Sequence, residues 1–286
     1  MRLTVNAAAK LNLFLDIAGK RSDGYHIINT VMQSVSLYDE VTVITDNSDD
    51  IKIQCTDFQI PCDETNTAYK AVTEFFHYTG ITPSGITVKI KKRIPSQAGM
   101  AGGSTDAAAV LTAMNEIFDT RLNKSQLAEI AEKIGADVPF CLYGGTMAAG
   151  GIGTILTPLP DIPECYFVTV KPDFRISTKE AYEKSDTIPR KSVKNIDLTV
   201  DSICNGSIHG IGKAMYNRFE EVIDIPEIDE IKNIMTSHGA AGACLTGSGS
   251  VVYGLFENKD DADQCVKALE DIYDNVYLLR PVQTEN

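Results

Sequence analysis

The residues with the most evident chemical use are the glycines of PSQAGMAGGSTDAAAV, from Pro95 to Val110. The basic, β-branched run VKIKKRIP ends at Pro95 and an alanine-rich stretch starts near Ser104, so the glycines lie where a strand hands over to a helix. Gly99, Gly102 and Gly103 permit close backbone approach, and a helix start presents unpaired N–H donors with partial positive charge. Phosphate is the natural ligand of such a turn. Lys89, Lys91, Lys92 and Arg93 add local positive charge before it. Ser104 and Thr105 bring hydroxyls that can cap the helix or meet a phosphate and its Mg²⁺. Asp106 suits the helix dipole but repels phosphate if it points into the loop, so it is expected to face away, or toward the metal or ribose. Glycines serve ordinary strand-to-helix turns in the same way, and taken alone these residues establish only an anion site.

The elements that position this loop alternate in period. Leu3, Val5, Leu11, Leu13 and Leu15 follow strand spacing, as do the runs 41–44, 51–53 and 85–94, with turns expected at 22–24 and 46–48. Residues 66–78 and 106–118 carry helical spacing, and Asn123 with Gln126 three residues on predicts a capped helix that stops at Gly135. Asp137 falls in a loop after it. A strand is expected over 146–149, and the glycine- and proline-rich stretch 150–163 suggests a boundary, giving domains 1–155 and 156–286. Beyond it the pattern predicts strands at 166–170 and 250–255 and helices near 178–184, 208–222, 227–238 and 260–272.

The totals exclude several classes. The 286 residues, 43% hydrophobic, suffice for two domains, and a formal charge of −13 argues against nucleic acid or an anionic membrane as the main partner. The seven cysteines include no C-x-x-C pair, so neither a disulfide framework nor a structural zinc site is indicated, and a cytoplasmic location is expected. The first 20 residues alternate like a strand instead of forming the apolar core of a secretory signal, and no stretch reaches the roughly 18 apolar residues that span a bilayer. The partner is expected to be a small molecule, with the chain a monomer or weak homodimer.

No G-x-x-x-x-G-K-[ST], no strand-linked G-x-G-x-x-G and no protein-kinase H-R-D or D-F-G signature occurs. Pro95 to Ala109 instead resembles the phosphate loop of the GHMP superfamily of small-molecule kinases. Two further stretches resemble its signatures in the same order: AAAKLNLFLDIAGKRSDGYHIINTVMQSVSLYD, Ala7 to Asp39, and GACLTGSGSVVYGLF, Gly242 to Phe256. The first is similar to the branch that phosphorylates the 2-hydroxyl of 4-diphosphocytidyl-2-C-methyl-D-erythritol on the non-mevalonate isoprenoid route. Ser250 departs from the third motif, which usually has proline there.

The resemblance implies an α+β, two-domain GHMP kinase fold with an N-terminal phosphate-loop domain and a C-terminal ferredoxin-like domain. ATP and Mg²⁺ are the implied cofactors. Lys10 in AKLNL and Asp137 in GADVPFCL match the family's catalytic lysine and aspartate. Asp137 would accept the hydroxyl proton, while Lys10 would keep it ionised and offset charge on the transferring group. Pro95, Ala98, Gly99, Met100, Ala101, Gly102, Gly103, Ser104, Thr105 and Asp106 would form the nucleotide loop, with Asn66 and Lys92 toward the adenosine. Asn12, Tyr25 and His26 match residues that meet the cytidine diphosphate acceptor, where an aromatic face stacks on a pyrimidine and an imidazole bonds its edge. Thr178, Gly247 and Gly249 fall on the substrate side. Two alternatives remain at this point: a homoserine- or mevalonate-type GHMP kinase, against which Tyr25 and His26 speak, and a silent metabolite-sensing relative, against which Lys10 and Asp137 speak.

Overall fold

The computed structural model describes residues 1–46, 48, 50–190 and 194–284. Two compact units emerge, and they do not divide at one point in the chain. One gathers Met1–Ala9, Leu37–Pro95 and Ala101–Gly144; the other gathers Lys10–Ser36, Ser96–Met100 and Gly145–Asn286. Two long strands, β1 (Arg2–Lys20) and β2 (His26–Asp46), contribute residues to both. These interleaved units are a different division from the expected domains 1–155 and 156–286. The glycine- and proline-rich stretch read as a boundary forms a hairpin, with β5 (Thr146–Gly150) paired to β6 (Ile155–Pro158) through a turn in which Gly151 and Gly153 have positive φ.

In the first unit β3 (Ile51–Cys55) runs parallel to β4 (Gly85–Lys91), and β4 runs antiparallel to β2 with Glu40 opposite Lys91. Alternation places Val41, Val43, Ile86 and Val88 on one buried face. Against it lie α1 (Thr67–Thr79) and α2 (Gly102–Ile117), joined by α3 (Lys124–Glu132) and α4 (Val138–Tyr143). Phe75 and Phe76 of α1 and Ala107, Ala108, Val110, Leu111 and Met114 of α2 fill this core. The capping box expected on α3 is present: Gln126 N donates to Asn123 Oδ1 and Asn123 N donates to Gln126 Oε1, both at 3.0 Å. The expected turn at 46–48 includes Asn47, which lies outside the described residues.

In the second unit β7 (Tyr166–Val170), β9 (Gly242–Leu245), β10 (Val252–Phe256) and β11 (Val276–Leu279) form an antiparallel sheet in the order β11-β7-β10-β9. With α8 (Pro226–Ser237) before β9 and α9 (Lys259–Glu270) before β11, this is the split βαβ arrangement of a ferredoxin-like fold. Between β7 and α8 the chain inserts α5 (Thr178–Thr187), α6 (Asp197–Cys204) and α7 (Ile208–Ala214). The helix expected over 208–222 breaks after Ala214. There the short strand β8 (Tyr216–Asn217) pairs with Phe14 and Leu15 of β1, and the Asn217 side chain caps the 3₁₀ turn Arg218–Glu221. Sheet pairing and a side-chain cap override helical spacing at that point.

Candidate active site

The glycine-rich turn folds around two left-handed residues that lack glycine's freedom, Gln97 at φ 54° and Ala101 at φ 60°. Ala101 stands at the N-cap of α2, and no side chain caps that helix. Ser104 and Thr105 lie inside its first turn, with Thr105 N already donating to Ala101 O at 2.9 Å, so the capping role open to them from sequence is not taken. Helix-start amides are anion donors when no side chain occupies them. Gly99 is required by space as well as by its φ of 75°, since a Cβ there would come within 2.1 Å of Thr246 O. Gly247 crosses it, and a Cβ on Gly247 would meet Gly99 Cα at 2.9 Å. The phosphate loop and the third motif are thus in backbone contact.

Lys10 joins them from β1. Its backbone N donates to Met100 O at 3.2 Å, and its ammonium, in a residue only 4% exposed, donates to Asn12 Oδ1 at 2.6 Å. The same Oδ1 accepts from Gly247 N at 2.9 Å and from Thr246 Oγ1 at 3.3 Å, while Asn12 Nδ2 donates to Thr30 Oγ1 at 2.8 Å. Asn12 is therefore engaged inside the protein on both ends of its amide, next to Lys10. Asn217 supports the third motif from the other side, donating to Leu245 O and Gly247 O at 2.7 and 2.8 Å. Ala98 O accepts from Val251 N at 3.3 Å, and the Gly249–Ser250 peptide at the proline departure is cis.

A second cluster lies under the start of α2. The Lys92 ammonium, 6% exposed, donates to Asp106 Oδ2 at 2.7 Å and to Asp39 Oδ2. Asp39 is fully buried, and its Oδ1 accepts from Arg93 N at 2.6 Å and Ile94 N at 2.9 Å. Asp106 Oδ1 is buried without a hydrogen-bond partner. Burial acts to lower the Lys92 pKa, but the two carboxylates outweigh it and hold it above the ordinary lysine value. Burial pushes the Asp106 carboxyl up to about 7, with Asp39 adding to the shift and Lys92 opposing it. Asp106 does face away from the loop, toward Lys92. Asn66 caps α1 by accepting from Ala68 N at 2.8 Å and donates to Pro61 O at 2.6 Å. The Asn66 and Lys92 side chains, expected toward the adenosine, both make internal bonds in the protein.

On the second unit Tyr25 stands 62% exposed at the end of a tight turn, where Arg21 N donates to Tyr25 O at 2.7 Å. His26 stacks on Tyr182 of α5 at 4.5 Å, and its Nε2 lies 2.7 Å from Asp186 Oδ1. Lys20 donates to the other Asp186 oxygen at 2.5 Å, and these two partners hold the Asp186 carboxyl below its usual range. Thr178 Oγ1 lies 2.7 Å from Ser248 Oγ, beside Gly247 and Gly249. Asp137 belongs to the first unit, in the short turn expected there, and it stands at the N-cap of α4 with Pro139 in the first turn. Sequence reasoning passed over Asp39, Thr246, Asn217 and Asp186; only Asp39 and Thr246 had a signal, as members of the first and third motifs. Among the described residues no group of three or more His, Cys, Asp or Glu is placed to hold a metal ion, and no helix is long and apolar enough to cross a membrane.

The family described as GHMP kinases N terminal domain matches residues 66–145, and that described as GHMP kinases C terminal matches 199–275. A 4-diphosphocytidyl-2-C-methyl-D-erythritol kinase of Clostridium tetani is 40% identical, covering 98% of this chain and 100% of the relative. A crystal structure of 4-(cytidine 5'-diphospho)-2C-methyl-D-erythritol kinase superposes with a TM-score of 0.83 at 29% identity, over 99% of this chain and all of that one. A homoserine kinase from Cytophaga hutchinsonii, at 20% identity and a TM-score of 0.80 over 100% of this chain and 96% of that one, shares the fold. Fold and loop together define a small-molecule kinase of the GHMP type. Within that class, the chain belongs to the family of 4-diphosphocytidyl-2-C-methyl-D-erythritol kinases.

Proposed function

We propose that this protein transfers the γ-phosphate of ATP to the 2-hydroxyl of 4-diphosphocytidyl-2-C-methyl-D-erythritol, as a cytoplasmic enzyme of isoprenoid precursor synthesis. The observation that supports this best is the buried Lys10 ammonium held by Asn12 beside the crossing of Gly99 and Gly247, in a chain matched end to end by kinases of that name.

Phosphoryl transfer needs alignment and charge stabilisation more than covalent chemistry. The uncapped start of α2 and the backbone of residues 95–105 fit the nucleotide phosphates, since amides lie there and Gly99 and Gly247 leave no room for a side chain. Mg²⁺ would enter with the nucleotide, and the Ser104 and Thr105 hydroxyls in the first turn of α2 are the protein groups that would hold it. When bound, it would neutralise phosphate charge. Lys10 offsets charge on the transferring group and Asp137 accepts the hydroxyl proton. Asn12 orients Lys10. Tyr25 stacks on the pyrimidine, and His26, steadied by Tyr182 and Asp186, meets its edge. Thr178, Gly247 and Gly249 serve the acceptor diphosphate.

A coupled ADP-release assay with purified protein, ATP and Mg²⁺ tests this by offering the cytidylyl acceptor beside homoserine and mevalonate. The expected result is a kcat/KM at least 100-fold higher for the cytidylyl compound. Equal or better turnover of either other alcohol removes the assigned acceptor, and no ADP with any of them removes the enzyme reading.

A further inference from the structure

Asp39 ends the first sequence motif, far along the chain from Lys10, Tyr25 and His26, and touches none of the groups given a part in the reaction. It is nevertheless fully buried and saturated. One oxygen takes two successive amides, Arg93 and Ile94, where β4 turns into the glycine loop; the other takes the Lys92 ammonium. Lys92 in turn reaches Asp106 in the first turn of α2, and its Nζ would lie 3.2 Å from a Cβ placed on Gly102. A single carboxylate therefore grips the entry to the loop directly and its exit through Lys92.

Stability alone gives little reason for this arrangement. Two buried carboxylates share one ammonium, and Asp106 Oδ1 has no partner, whereas the Lys92–Asp106 pair by itself would balance in charge. Fixing amides in place before the ligand arrives is how a phosphate cradle gains affinity without ordering cost. We propose that Asp39 is a positioning residue for the nucleotide, setting the loop amides by clamping residues 93–94 and, through Lys92, the first turn of α2. This rests on the reading of residues 95–105 as the ATP loop.

Asp39→Asn keeps an oxygen for the two amides and removes the charge that holds Lys92. ATP binding by calorimetry is expected to weaken at least tenfold and the KM for ATP to rise in parallel. The acceptor KM should stay within twofold, and the urea midpoint should hold or rise. Because Asp39 acts through Lys92, adding Lys92→Met to Asp39→Asn should change the ATP KM by less than threefold more. Asp39→Glu, which keeps the charge but lengthens the arm, should also raise the ATP KM and serves if the asparagine variant does not fold. An unchanged ATP KM in a folded variant overturns the proposal, as does an equal rise in both KM values. If the unmodified protein binds no ATP, the loop reading itself fails, a result separable from any effect of Asp39.

Discussion

Asp106 shows how one residue answers to opposing demands. Sequence alone made its carboxylate good for the helix dipole and bad for a phosphate, and the structure settles this by turning it down onto Lys92. The consequence is a carboxyl pushed up to about 7 from an ordinary value of 3.8, chiefly by burial. Raised in the folded state, it adds stability that is complete below about pH 4 and is lost as pH rises toward 7. Asp106→Asn removes that loss. Urea midpoints should show the variant gaining on the unmodified protein between pH 5 and pH 8, by on the order of 1–3 kcal/mol; a parallel pH dependence would contradict the shift. The sequence motifs did pick out residues that the fold brings together, as with Lys10, Asn12, Gly99 and Gly247. The internal bonds of Asn12, Asn66 and Lys92 were not legible, because spacing does not say which way a side chain turns.

At the scale of elements, local signals served best where they were local. The capping box of α3 and strand β7 follow from neighbouring residues and were readable. The break at Met215 was not, because its cause, pairing with β1, lies far off in sequence; the hairpin over 150–158 is local, but its glycines and prolines serve a turn as well as a boundary. The crossing of the two glycine loops is likewise non-local, and it makes a firm prediction. Gly99→Ala adds a methyl at a position with φ 75° and 2.1 Å from Thr246 O, so backbone must move on one side or the other. kcat/KM for ATP should fall by at least 100-fold, whereas alanine at Gly150, where a Cβ meets nothing within 4 Å, should leave it within threefold. Near-equal activities would mean that the crossing does not shape the site.

For the whole molecule, the fold class was legible because three motifs appear in a fixed order, but the division of the chain was not. Strands β1 and β2 each give residues to both compact units, so composition shifts along the sequence cannot mark where one ends. Saturating ATP at about 100 times its Kd should stabilise the protein by about 2.7 kcal/mol, read as a later thermal unfolding transition; an unshifted transition would contradict the ATP reading of the loop.

The oxygen of Asn12 takes bonds from the Lys10 ammonium and from the Gly247 amide at once. Surveyors would call such a point a datum: two distances measured from one mark share its error, and the error cancels between them. When β1 shifts or breathes, the lysine and the third loop are carried along together, and the spacing between them is kept although neither is rigid in itself. Accuracy at this site therefore depends less on stiffness than on common reference, and a side chain with no chemistry of its own supplies it.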